Sequence, residues 1–475
     1  MICRLRSVFA RHSSILRFRT RILGVGDSNR SAALGSLRSD SCPTGIGKLS
    51  LMQDGEETGV SAVAPDDVGH GAGGASAPRR GGASPLALAL GPFTRTGGFY
   101  ARSWADYLDR QPGQLPARRP TLGLAAHAFG DEIVLLGFRF LRSAPDATRV
   151  ERINREVIAA LDFYRQKGWL AKPEGFFAAP PPLTDVSVKP VTSLGRTYSR
   201  MFFDSEYEPC AGEPGRERWL SYTPNNHEYG LMLRHREPRP WLVCVHGAEM
   251  GRAALDLALF RAWHLHHDLG LNVVLPVLPM HGPRARGLPK GAAFPSEDVL
   301  DNVHGVAQAV WDIRRLLSWI RSQEPDSMIG MNGISLGGYL TSLVATLDDG
   351  LTCAILGVPL ADLLELVARH AGLSEYDDLG EMLTLAKPIG AMISPLALRP
   401  RVPMEGRFIY AGIADRLVHP RDEAARLWGH WGKPEICWYP GGHTGFFRSR
   451  PAHRFIDDAL VKSGLVDSAR IRRTR

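Results

Sequence analysis

The chain is 475 residues long, enough to bury a large hydrophobic core, and its six cysteines are too few for a disulfide-stapled fold. With 44% apolar and 22% charged residues it has the balance of a soluble globular protein, and no apolar run reaches the roughly 18–20 residues that cross a bilayer, so an integral membrane span is excluded. The net charge of +8 is terminal: residues 1–30 carry +6 and residues 470–475 carry +4, leaving −2 on the body and no basic face for nucleic acid.

Residues 1–26 contain no acid, and Leu5, Val8, Phe9, Ile15, Leu16 and Ile22 alternate with arginines at helical spacing. The pattern suits a transit-type or membrane-surface helix; the alternative is that translation begins at Met52 and the preceding stretch is a mis-assigned start. A cytoplasmic location is the expectation, with an organelle or a membrane surface as the alternative. Residues 31–84 are rich in Gly, Ala and Ser, so a disordered tail over 1–92 is expected. The Gly69-x-Gly71-x-x-Gly74 string in it matches a dinucleotide fingerprint, but no strand precedes it and no helix follows.

Residues 93–190 read as mainly helical, with the clearest helix running from an Asp146 N-cap to a Gly168 stop. This region offers no identifiable chemistry, and covering one side of a catalytic domain is its expected role. A strand-rich stretch near 197–235 follows. From Pro238 onward short apolar runs at 241–245, 272–278, 328–331, 353–358, 408–410 and 436–439 alternate with helical segments near 251–269, 297–323, 336–348, 421–430 and 452–462. Strands apolar on both faces, separated by helices, predict a doubly wound α/β domain.

Four elements of that domain carry chemistry. Gly333-Ile334-Ser335-Leu336-Gly337 lies directly between a strand and an apolar helix, which is the context of a nucleophile elbow. The turn holds the serine in a strained conformation, needs small flanking residues, and lifts Oγ clear of the sheet. His246-Gly247-Ala248 follows the 241–245 strand; the backbone N–H groups of Ala248 and Leu336 are the candidate oxyanion donors. Asp415 follows the strand at 408–410, and Pro440-Gly441-Gly442-His443 follows the strand at 436–439. Glycines free that last loop to bring the imidazole to Ser335, while Asp415 would hold its tautomer. Asp362 is the competing acid. His281 is a candidate pocket residue, whereas His264, His266 and His267 point different ways on one helix and read as a solvated face, not a metal site.

On His246-Gly247, the Gly333–Gly337 elbow, Asp415 and His443, the span from about 236 to 465 resembles the α/β-hydrolase superfamily. The resemblance implies a mostly parallel eight-stranded sheet, acyl-serine chemistry on Ser335, and no metal or organic cofactor. Expected domains are the tail, a helical extension over 93–190 and a hydrolase domain over 191–475 with a helical lid insertion at about 360–400. The expected activity is hydrolysis of a small-molecule carboxylic ester with a small or apolar acyl or alkyl group. An acyltransferase using the same residues and a non-catalytic scaffold are the alternatives, and the oligomeric state stays open. The insertion is rich in Leu and Met, either to line a pocket or only to pack on the sheet.

Overall fold

The computed structural model of the protein describes residues 85–470, apart from 110–114, 117–118, 142–145, 194 and 372–377. The chain divides into two units, Met1–Pro78 and Arg79–Arg475, of which the described residues belong to the second. The arginine-rich segment, the low-complexity stretch and its glycine string therefore lie outside the described residues.

Three helices come first: α1 (Pro85–Asp109), α2 (Leu122–Leu141) and α3 (Ala147–Gln166). Helix α3 starts as its sequence demands, because the Asp146 carboxylate accepts the Arg149 N–H at 2.8 Å. Strands β1 (Ser187–Ser193), β2 (Arg196–Asp204), β3 (His227–Leu233), β4 (Trp241–Val245) and β5 (Asn272–Pro276) follow. Then α4 (Val299–Gln323), β6 (Ile329–Ile334), α5 (Leu336–Leu347) and β7 (Cys353–Gly357) alternate. The remaining elements are α6 (Leu363–Ala371), α7 (Asp378–Leu385), α8 (Lys387–Met392), β8 (Arg407–Gly412), α9 (Ala424–His430), β9 (Glu435–Tyr439) and α10 (Arg450–Lys462).

The nine strands form one sheet in the order β1-β2-β3-β5-β4-β6-β7-β8-β9. It is mixed. Strands β5, β4, β6, β7, β8 and β9 pair in parallel, whereas β1–β2, β2–β3 and β3–β5 pair antiparallel. The expected eight strands become nine because Ser187–Ser193 is a strand rather than the end of a helical region. Pro190 lies in it opposite Ser199, and a proline is tolerated there because β1 is an edge. A second departure is the expected helix over 251–269, which is cut into Ala253–Leu259 and a separate turn at His264–Asp268, with Arg261 at φ +51° between them.

Core residues cover both faces of the sheet. On one face the apolar stripe of α4, including Val299, Val303, Val306, Val310, Ile313, Leu317 and Ile320, is fully buried with α3 and α5. On the other, α10 packs Ala452, Ile456 and Leu460 against Phe408, Tyr410 and Ile355. Among the Leu and Met residues of the 360–400 insertion, Leu360, Leu363, Leu364, Leu366, Met382, Leu383, Met392 and Leu398 all join the first core. Their apolar character is accounted for by packing. Among the described residues, no helix is long and apolar enough to cross a membrane.

Candidate active site

Strands β4 and β6 are neighbours, with Val245 opposite Gly333, so the turns that follow them open at the same height on the sheet. After β6 the chain reverses sharply through Ser335, whose φ of +58° and ψ of −118° no ordinary residue adopts without strain. The reversal depends on its flanking glycines. A Cβ on Gly337 would run into the Val245 carbonyl, and one on Gly333 into the Gly337 carbonyl and the Thr341 hydroxyl. Gly337→Ala is therefore expected to lower the unfolding free energy by about 3 kcal/mol, the upper end of overpacking costs, or to abolish folding; urea denaturation checks it.

Ser335 is half-buried at the mouth of the turn. Its backbone N–H is committed to the Gly357 carbonyl at 2.8 Å. Its hydroxyl donates to His443 Nε2 at 3.0 Å, and His443 Nδ1–H donates to Asp415 Oδ2 at 2.7 Å. A carboxylate only accepts, which fixes the proton on Nδ1 and leaves Nε2 as the acceptor. The other oxygen of Asp415, Oδ1, accepts the N–H groups of Leu417 (3.0 Å) and Val418 (2.8 Å). Burial pulls the His443 pKa down, but the charge and hydrogen bond of Asp415 outweigh it, so the imidazole titrates above its ordinary value.

Asp362 does not reach this chain. Its Oδ1 accepts the Glu365 N–H at 3.1 Å at the start of α6, which is a helix cap.

The His246-Gly247-Ala248 turn lies against the serine: a Cβ on Gly247 would sit 3.3 Å from that of Ser335. The Gly247 N–H is occupied by Met250 Sδ at 3.3 Å. Among the described residues, the N–H groups of Ala248 and Leu336 have no hydrogen-bond acceptor. The His246 side chain is not a donor to the site. Its Nδ1–H donates to the Gly247 carbonyl at 2.8 Å and its Nε2 accepts the Leu278 N–H at 3.0 Å, so it braces the turn against the end of β5. Burial, helped by His281, pushes its pKa down to about 3 and keeps it neutral.

His281 is buried edge-on to His246, with ring centroids 5.1 Å apart. It lines a cavity of about 980 Å³ with Met201, Tyr229, Met250, Arg252 and Arg286. That cavity flanks the 247–251 turn; Ser335 is not in its wall. Of the three clustered histidines, His266 is buried and stacked on His235 at 3.9 Å, not on a solvated face; His264 pairs with Asp268 and Asp457. Among the described residues no group of three or more His, Cys, Asp or Glu is arranged to hold a metal.

The sequence offered no function for Asp131, yet its Oδ2 accepts the His443 backbone N–H at 2.6 Å and the Arg416 backbone N–H at 3.1 Å. One signal was available: Asp131-Glu132 is the only acidic pair in α2, which is otherwise apolar except for His127 and Arg139, and two adjacent acids there need partners.

No family model matches the chain. Two proteins of Mycobacterium tuberculosis, from strains CDC 1551 / Oshkosh and ATCC 25618 / H37Rv and both described as uncharacterized, are 66% and 65% identical to it over 390 residues. Each alignment spans 82% of this chain and 94% of the relative. Among solved structures, an acetyl xylan esterase from Paenibacillus sp. R4 is 15% identical, with 64% of this chain and 94% of that one covered at a TM-score of 0.42. An acetyl xylan esterase from Thermoanaerobacterium sp. JW/SL YS485 is 15% identical, with 62% and 93% covered at a TM-score of 0.43. The chain belongs to one family with the two mycobacterial proteins.

Proposed function

We propose that the protein is a serine hydrolase that cleaves a small-molecule carboxylic ester through an acyl-serine intermediate. The observation that carries this reading is the unbroken hydrogen-bonded chain from Ser335 Oγ through His443 to the Asp415 carboxylate. Ser335 Oγ attacks the ester carbonyl carbon as its proton passes to His443 Nε2, and the carbonyl oxygen becomes an oxyanion. The acceptorless N–H groups of Ala248 and Leu336 are the donors for that charge, aided by the N-terminus of α5. Collapse expels the alcohol, which takes the proton back from His443. Water then repeats the sequence on the acyl-enzyme, with the same base, and releases the acid.

The cavity beside the 247–251 turn is the room assigned to the larger part of the substrate. Its wall combines Met201, Met250 and Met280 with Arg200, Arg252 and Arg286, so an apolar group of moderate size fits it with a polar or anionic end at the rim. A second reading as a scaffold has no observation in its favour, because no member of the hydrogen-bonded chain is missing.

Incubation with a fluorophosphonate, followed by intact-mass and peptide analysis, tests the reading directly. A single covalent adduct at Ser335 is expected. Folded protein that takes up no adduct, or takes it up elsewhere, sinks it.

A further inference from the structure

Building on the hydrolytic reading of Ser335, His443 and Asp415, we propose that Asp131 is a positioning residue that ties the loop carrying the base to the loop carrying the acid. A single carboxylate oxygen makes both ties, accepting the backbone N–H of His443 itself at 2.6 Å and that of Arg416, the residue after Asp415, at 3.1 Å. These partners lie 312 and 285 residues further along the chain. The bridge joins the two loops through one atom, and it acts at the two ends of the 2.7 Å His443–Asp415 contact.

The surroundings show that the carboxylate is held there deliberately rather than carried along by packing. Helix α2 docks on the acid loop through Leu124 and Ala128 against Ala414, with Phe99 and Ile413 at the margin. The neighbouring Glu132 takes over the side-chain docking: its carboxylate pairs with Arg416 Nε at 3.1 Å and with Arg95 Nε at 2.5 Å, and Arg416 lies over the Phe99 ring. Asp131 is not needed for that contact and points instead at the backbone amides. The base loop runs close to it: a Cβ on Gly442 would come within 2.5 Å of the Asp131 carboxylate.

The placement also has an electrostatic cost. Asp131 is buried, and it faces Asp415, His443 and Tyr439, with Glu132 and Arg416 alongside. Burial first, then the like charge of Asp415, push its pKa up to about 6. An acid whose folded pKa is raised is stabilising below its unfolded value and loses that contribution as the pH rises through about 6, so at neutral pH ionised Asp131 opposes folding. Its charge has the opposite effect on the base, because a carboxylate beside His443 favours the imidazolium.

Two variants separate positioning from simple packing. Asp131→Ala removes both ties, so kcat for p-nitrophenyl acetate is expected to fall about 10²-fold, the effect of a reacting group displaced by an ångström, with KM changed little. Asp131→Asn keeps an oxygen acceptor and loses the charge. Its plateau kcat falls less, while the acid limb of kcat/KM moves to lower pH, because His443 then stays neutral further into acid. The His443 imidazole followed by NMR shows the same downward shift in Asp131→Asn whether or not the protein turns over, and also when Asp131→Ala does not fold. Unchanged titration of His443 together with unchanged kcat in the folded variants overturns the proposal. The same NMR shift between wild type and Asp131→Asn, found with no Ser335-dependent turnover in the wild type, leaves Asp131 coupled to His443 and instead overturns the hydrolytic reading.

Discussion

Ser335→Ala and His443→Ala are each expected to lower kcat for p-nitrophenyl acetate by on the order of 10⁶-fold, and the double variant to lower it little further. In the proposed mechanism the two side chains act as one unit. The hydroxyl is a weak nucleophile until its proton has somewhere to go, and its acceptor is the Nε2 atom 3.0 Å away. Either loss removes the same step, so the losses do not multiply. The residual rate over buffer should persist, because the Ala248 and Leu336 N–H groups are backbone and survive both substitutions. Steady-state kinetics on the three proteins checks this, and a double variant whose loss is the product of the single losses contradicts a shared role.

The second large effect is expected at Asp415→Asn, with kcat falling about 10⁴-fold while the fold is kept. The hydrogen bonds around Asp415 dictate that outcome. One of its oxygens is held by the N–H groups of Leu417 and Val418, so the amide oxygen of an asparagine must take that place. The amide NH₂ then faces His443 and forces Nδ1 to accept, which moves the imidazole proton to Nε2, where it meets the serine hydroxyl as a donor. Asp362→Asn is the matched control: Asp362 caps α6, so at most about 1 kcal/mol of stability is lost and kcat stays within a few-fold. The reverse ranking would make Asp362 the acid.

Much of this site is written in short-range pattern. Strands β4 to β8 are buried between covering helices and the edge strand β9 is half-buried, so each appears in the sequence as an apolar run with punctuation at its ends, and the elbow, the acid and the histidine sit at those ends. The α4 stripe and the Asp146 cap are likewise local signals. What stayed hidden depends on neighbours distant in sequence. Ser187–Ser193 becomes a strand only because β2 offers a partner, and its Pro190 argues against a strand until its edge position is known. Whether Met382 lines a pocket or fills a core is decided by what α3 places opposite its helix. Asp131 is the clearest case, because its partners are backbone amides, which no residue type announces.

The tie between α2 and the His443 loop has a kinetic consequence. Closing a 312-residue loop in a flexible chain costs about 5 kcal/mol of entropy, so the contact has no reason to form until the sheet has already drawn its ends together. Regular structure and the hydrophobic interior are then complete while the acid and base are still loosely related. Refolding followed by far-ultraviolet circular dichroism should therefore run ahead of refolding followed by recovery of turnover, the interval between the two being the time an upstream helix takes to settle.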